Sequence, residues 1–215
     1  VIIDRPLTII GEGRPALNAT LQNPAVTVKS DGVTIDGFDI YGVGKDTTAK
    51  FEYYMENREA ASGQRLDMPN SAIVVEGGGF ILLNSSIFGA QAGVYARDAE
   101  GITLLNSTLN GCDTGLVVTG GKRIDVLGCN IINCRKYGLD IEWSSEVTVK
   151  NSSIINNSNV GILLREGTGG VFDDNAISEC TFGLSLWNAS YNQVRKNQLD
   201  HNYYGILVTN WSSYN

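Results

Sequence analysis

The sequence predicts an all-β fold: a right-handed single-stranded parallel β-helix of about eight coils, each 22–23 residues long. Three observations carry that prediction. Gly93, Gly115, Gly138, Gly161, Gly183 and Gly205 recur every 22 or 23 residues, and a fixed period of that length marks a solenoid of repeated supersecondary units. Each Gly is followed by an apolar–x–apolar triplet: Val94/Ala96, Leu116/Val118, Leu139/Ile141, Ile162/Leu164, Leu184/Leu186 and Ile206/Val208. All twelve positions are apolar, and period two is the signature of a strand with one buried face. The corners between strands also align from coil to coil, in columns of small or polar residues.

In chain order, the first strand of the repeat extends toward the N-terminus through Val26/Val28 and Ile73/Val75. A second strand follows at Val33/Ile35, Ile81 with Leu82, Ile102/Leu104, Ile124/Val126 and Val147/Val149. A third short segment is centred on Ile40, Ile87, Leu109, Ile131, Ile154, Ile177 and Leu199. Three short strands cannot bury their own inner face, whereas stacked coils share a continuous core. Leucine-rich repeats have the same period but need a helical return, and no 3.6-residue pattern lies between these strands.

The corner columns read Ser85, Ser107, Cys129, Ser152, Asn175, Asn197 and Ala90, Cys112, Cys134, Asn157, Cys180, Asn202. Small polar side chains suit such turns because they bond neighbouring backbone groups. Cys112 and Cys134 fall on adjacent coils, at a spacing a disulfide would accept. Cysteine also fills small buried positions well. Four reduced thiols are expected, with Cys112, Cys134 and Cys180 buried.

One segment breaks the period. From Ala25 to Ala72 is 47 residues, and the excess lies near 43–70 in the most charged part of the chain. Phe51, Tyr53, Tyr54 and Met55 suggest a short helix or lid within this insertion loop. It reads either as a wall beside a binding face or as a patch covering apolar surface.

The whole chain, 1–215, is expected to form this single β-helix, as a fragment of a longer protein. Sixteen Lys+Arg against 23 Asp+Glu give a net charge of −7, which disfavours a sequence-independent grip on nucleic acid phosphates. No apolar run approaches the roughly 20 residues of a membrane helix, so no membrane insertion is expected. Strand edges at both ends predict end-to-end self-association, or neighbouring domains that cap the coils.

The opening PLTIIGEG, the VTIDGFDI unit and the later G-I-x-L…N-x-L…N units resemble the repeats of NosD-like periplasmic proteins. The same repeats occur in carbohydrate-binding and sugar-hydrolysis (CASH) domains. The resemblance implies a right-handed β-helix and an extracellular, cell-surface or periplasmic location. Its implied partner is a polysaccharide or cell-envelope glycan. Relatives of this kind include non-catalytic surface modules, lyases, hydrolases and epimerases.

The residues themselves offer little catalytic chemistry. Polygalacturonase-like hydrolases carry a Gly-His-Gly, and alginate-epimerase-like enzymes an Asp-Pro-His-Asp; neither is present, and His201 is the only histidine. Copper delivery, associated with NosD-like proteins, wants clustered His, Met or Cys ligands, and no such cluster is apparent. No catalytic residue, metal ligand or cofactor is assigned.

A binding face is easier to assemble on the outward side of the first strands. Two residues past each Gly stand Tyr95 and Asp140, and four past it stand Arg97, Glu142, Arg165 and Trp187, with Trp143 beside them. Tyr95, Arg97, Asp140, Glu142, Trp143, Arg165 and Trp187 are therefore the candidate substrate-binding residues of a groove with a charged centre and aromatic platforms. The structural alternative is an ordinary cross-strand Glu142–Arg165 pair. The functional expectation is a non-catalytic polysaccharide-binding module. The alternatives are a polysaccharide lyase or hydrolase acting at this strand-one face, with Ca²⁺ a possible cofactor of the pectate-lyase-like form, and a self-assembling envelope element.

Overall fold

The structure, a computed structural model, describes residues 1–20, 23–43 and 70–215. The described strands form three parallel sheets wound around one lumen. The first sheet contains nine strands, among them Ile73–Val75, Ala92–Arg97, Thr114–Thr119, Tyr137–Glu142, Val160–Arg165, Phe182–Trp187 and Tyr204–Thr209. The second sheet has eight strands and the third seven, each made of successive chain repeats in spatial order. This is the predicted coil: strand one, strand two, strand three, then the next layer.

The register is the one the glycine period implies. Leu116 lies opposite Val94 and Leu139, and Ile162 opposite Leu139 and Leu184. From Val94 to Leu186, all ten predicted inward residues are at most 1% exposed. Ile206 and Val208 keep the register against Leu184 and Leu186 but are 46% and 48% exposed, because no described coil covers them. Fully burying a Leu, Ile or Phe side chain contributes about 1.5–3 kcal/mol, so the lumen is the main stabilising feature. In the second sheet, Phe80 and Leu82 point inward and are fully buried, opposite Ile102 and Leu104. This corrects the placement of Ile81, which stands on the outer side. A large aromatic wins the lumen over its aliphatic neighbour because the alternation admits only one of them.

The glycine column has a steric cause. A Cβ on Gly138 would lie 2.5 Å from the Gly161 carbonyl oxygen and 2.9 Å from Ile154 Cγ2. Successive coils approach so closely there that only hydrogen fits.

Corners are held by side chains that serve as backbone partners. Asn175 Oδ1 accepts from the Ser152 N–H at 3.0 Å, and its amide donates to the Val149 carbonyl at 2.9 Å. Asn157 does the same for Cys134 N–H and the Ile131 carbonyl, at 3.0 and 3.1 Å. All four cysteines are free and buried. Burial pushes the Cys112 and Cys129 thiols up to about 11, and it raises Cys134 and Cys180 as well. The predicted helix or lid around Phe51–Met55, and most of the 43–70 insertion, lie outside the described residues.

Candidate functional site

The outward side of the first sheet carries every predicted binding residue except Trp143, which stands in the turn just after Tyr137–Glu142, but it does not present them equally. The column four residues past each Gly runs Arg97, Thr119, Glu142, Arg165, Trp187, Thr209 in unbroken parallel register. Parallel pairing sets these side chains about 4.8 Å apart along the axis. Neighbours in the column must therefore interact.

Arg165 Nε lies 3.2 Å from Glu142 Oε1, with side-chain exposures of 15% and 2%. The Nε–H is not aimed at that oxygen, so the contact is an ion pair without a hydrogen bond from Nε. On its other side the guanidinium sits 4.0 Å above the centre of the Trp187 ring, a cation–π stack that strengthens as water is excluded. Arg165 is thus held between a carboxylate and an indole.

Access departs from the expected open groove. Asp140 and Glu142 are 0% and 1% exposed, and Tyr95 is 5% exposed in a small outward apolar cluster with Ala92, Val117 and the partly buried Val74. These three point away from the lumen, yet they are as buried as core residues. Tyr95 is therefore no open platform. One face of the Trp187 ring is covered by Arg165. Arg97 is partly buried, 3.7 Å from Asp98, and three coils from Arg165.

What remains accessible is the edge where the first sheet turns toward the second. In the six coils from Gly93 onward the residue five past the Gly adopts a left-handed conformation there: Asp98, Gly120, Trp143, Glu166, Asn188 and Asn210. Asp, Gly and Asn suit that geometry. Trp143, at φ 47° and 44% exposed, does not. A bulky residue with positive φ is an outlier, and holding it costs on the order of 1–3 kcal/mol. Its indole Nε1–H donates to Glu166 Oε2 at 2.8 Å, one coil away, which sets the ring's orientation. Glu166 was missed in the sequence because it lies one residue beyond the strand column. The signal that could have found it is the second outward column, five residues past each Gly, where a Trp stands among turn formers.

The site is therefore an exposed edge with a buried ionic interior. Trp143 and Glu166 form its rim, and the Glu142–Arg165–Trp187 stack lies behind them. Among the described residues no group of three or more His, Cys, Asp or Glu side chains is placed to hold a metal ion.

Three parallel sheets around a filled lumen, with a modified outer edge, define a parallel β-solenoid. The chain belongs to the family described as right handed beta helix region, which matches residues 71–215. No curated protein matches it. Among solved structures it is similar to tailspike protein 2 of bacteriophage CBA120, enzymatically active domain, at 15% identity and TM-score 0.50, covering 90% of this chain and 35% of that one. It is also similar to the periplasmic alginate epimerase AlgG, at 14% identity and TM-score 0.47, covering 81% and 41%. A third is the Azotobacter vinelandii mannuronan C-5 epimerase AlgE6 A-module, at 11% identity and TM-score 0.44, covering 94% and 71%. The chain spans less than half the length of the first two. At these identities the likeness is one of fold.

Proposed function

We propose that this chain is a non-catalytic, polysaccharide-binding β-helix module of a secreted, cell-surface or periplasmic protein, with CASH-type repeats. The observation that carries the reading is Trp143. A tryptophan occupies a left-handed turn position that Gly120 and Glu166 fill in the adjacent coils and Asp98, Asn188 and Asn210 in the others, and it remains 44% exposed. Retained strain of that kind points to a functional constraint. An exposed indole offers a flat apolar face to the C–H side of a pyranose, while Glu166 and Asn188, both exposed, offer hydroxyl partners along the same edge.

The same geometry argues against cleavage. General acid–base catalysis needs a carboxyl group within hydrogen-bond reach of the substrate, and Asp140 and Glu142 are buried. The titratable groups left on the rim are Asp98 and Glu166, on opposite sides of Trp143 in the column.

The test is affinity electrophoresis of the 215-residue chain through gels containing a panel of neutral and acidic polysaccharides. Retardation by at least one glycan, reduced about tenfold or more in Trp143→Ala, is expected; tenfold corresponds to about 1.4 kcal/mol. Incubation with the same glycans should yield no new reducing or unsaturated ends, with or without Ca²⁺. Unsaturated ends that disappear in Arg165→Ala would replace this reading with a lyase.

A further inference from the structure

The corner that carries Trp143 holds a second exposed aromatic group two coils further on. A second left-handed position closes that corner, occupied in successive coils by Gly101, Arg123, Glu146, Gly169, Tyr191 and Tyr214. Tyr191 and Tyr214 stack with ring centroids 4.9 Å apart and planes 7° from parallel. That separation matches one coil spacing of about 4.8 Å, so the ring faces look along the solenoid axis. Tyr214 covers the face of Tyr191 turned to the later coil. The opposite face looks over Gly169, which has no side chain, and Tyr191 remains 63% exposed. We infer that Tyr191 is the second aromatic contact of a glycan chain, which runs from Trp143 across the turn at 167–170. This inference rests on the binding reading above.

The turn between the two rings stays low. It reads Gly-Thr-Gly-Gly over 167–170, and Thr168 and Gly169 are exposed. A Cβ on Gly169 would meet nothing closer than the Glu146 backbone nitrogen at 3.9 Å, so packing does not require glycine there. Nor does the backbone, since Arg123, Glu146, Tyr191 and Tyr214 hold the same left-handed conformation in this column. The effect of Gly169 is to leave a gap. The next side chain of the column is Glu146, whose carboxylate lies 3.4 Å from Lys122 of the coil before it. From Tyr191 to Glu146 is two coil spacings, roughly 10 Å. A flat ring seated against Tyr191 at about 4 Å fits that opening, with Thr168 and Glu146 as hydroxyl partners beside it.

A saccharide unit has the chemistry this gap would take. Its C–H face is apolar and its edge carries hydroxyls, which suits an aromatic wall with a few oxygen partners at the margin. A purely apolar partner would desolvate Glu146, Glu166 and Thr168 without replacing their hydrogen bonds to water. Trp143 lies two coils from Tyr191 along the axis, a distance of about two sugar units. A chain of three or more units therefore reaches both rings, and two contacts on one ligand reinforce each other through effective concentration. Stacking on Tyr214 accounts for one face of Tyr191 and leaves the other for the glycan.

The experiment runs the affinity gels, with mixed-linkage β-glucan, galactomannan and polygalacturonate heading the panel, on wild type, Tyr191→Ala and Gly169→Tyr. Tyr191→Ala should reduce retardation about tenfold. Gly169→Tyr adds an aromatic ring but fills the gap, so it should also reduce retardation about tenfold. Hexameric fragments of a retarding polymer should release the wild-type chain at about tenfold lower concentration than its dimers do. Both variants should melt close to wild type, because both positions are exposed. If Gly169→Tyr melts far lower, Tyr191→Ala and the fragment lengths decide. Retardation that survives Tyr191→Ala, or rises in Gly169→Tyr, while Trp143→Ala abolishes it would overturn the second contact and leave the binding reading intact. Dimers as effective as hexamers would do the same. Retardation by no glycan of the panel would remove the binding reading and this inference with it.

Discussion

Two corners of the same coil make the same demand of the backbone and meet it differently. The corner after the second sheet places Asn84, Asn106, Gly128, Asn151, Asp174 and Lys196 in the left-handed region, most of them residues that tolerate it. The residue after each is a buried or partly buried Ser, Cys or Asn that bonds the neighbouring coil's backbone, as Asn175 does for Ser152 and Val149. The corner after the first sheet has the same left-handed position in the six coils from Gly93 onward, and Ser144 there likewise accepts from the Gly121 N–H of the neighbouring coil, but Trp143 and Glu166 occupy two of the left-handed positions and also bond each other. Both arrangements satisfy backbone groups. The second also displays side chains. The difference separates what the repeat needs from what it does not need.

The lumen provides the severest test of that separation. Gly138→Ala forces a Cβ against a backbone oxygen now 2.5 Å from its ideal position, and backbone cannot yield as a side-chain tip can. A loss of about 3 kcal/mol or more is expected, measured by urea denaturation. A stability unchanged within error would mean that the coils are not packed as closely as this register requires.

Next comes the structural corner. Asn175→Ala removes an acceptor and a donor that are both buried, stranding the Ser152 N–H and the Val149 carbonyl. About 2 kcal/mol should be lost. Asn175→Ser should recover part of it, because Ser fills the same column at Ser152 and Ser107.

The cysteine in that corner column adds a pH dependence. Cys129 and Cys112 have folded pKa values raised to about 11 from 9.0 by burial. Between those values the unfolded chain loses the thiol protons while the folded chain keeps them. Stability should therefore be full below about pH 9 and fall as pH rises toward 11. Cys129→Ser should flatten the fall in a series of denaturation curves. A slope identical to wild type would show that Cys129 does not contribute. Thiol titration of the unfolded chain without reductant should find all four cysteines free.

The smallest stability effect belongs to the display corner. Trp143→Gly relieves a strained φ but gives up the Glu166 contact, and the two should offset to within about 1 kcal/mol. Glycan retardation should nonetheless be lost. A large destabilisation would place Trp143 with Asn175 among structural residues and dissolve the contrast between the corners.

The amino-acid sequence by itself determined the coil, the register and the inward columns. Those depend on an alternation of two and a period of 22 or 23, which any correctly stacked chain must satisfy at every layer. It also determined that Glu142, Arg165 and Trp187 are neighbours, since a parallel register follows directly from the period. It placed Ile81 rather than Phe80 in the inward column, because a continuous apolar run has no alternation to orient it. Burial of the outward residues was decided only by tertiary structure. Tyr95, Asp140 and Glu142 face away from the lumen by parity, and parity says nothing about what packs over an outer face. The same holds for Trp143. Its identity is plain in the chain, but its left-handed backbone and its bond to Glu166 arise from a corner whose geometry is imposed by the stacked coils on either side.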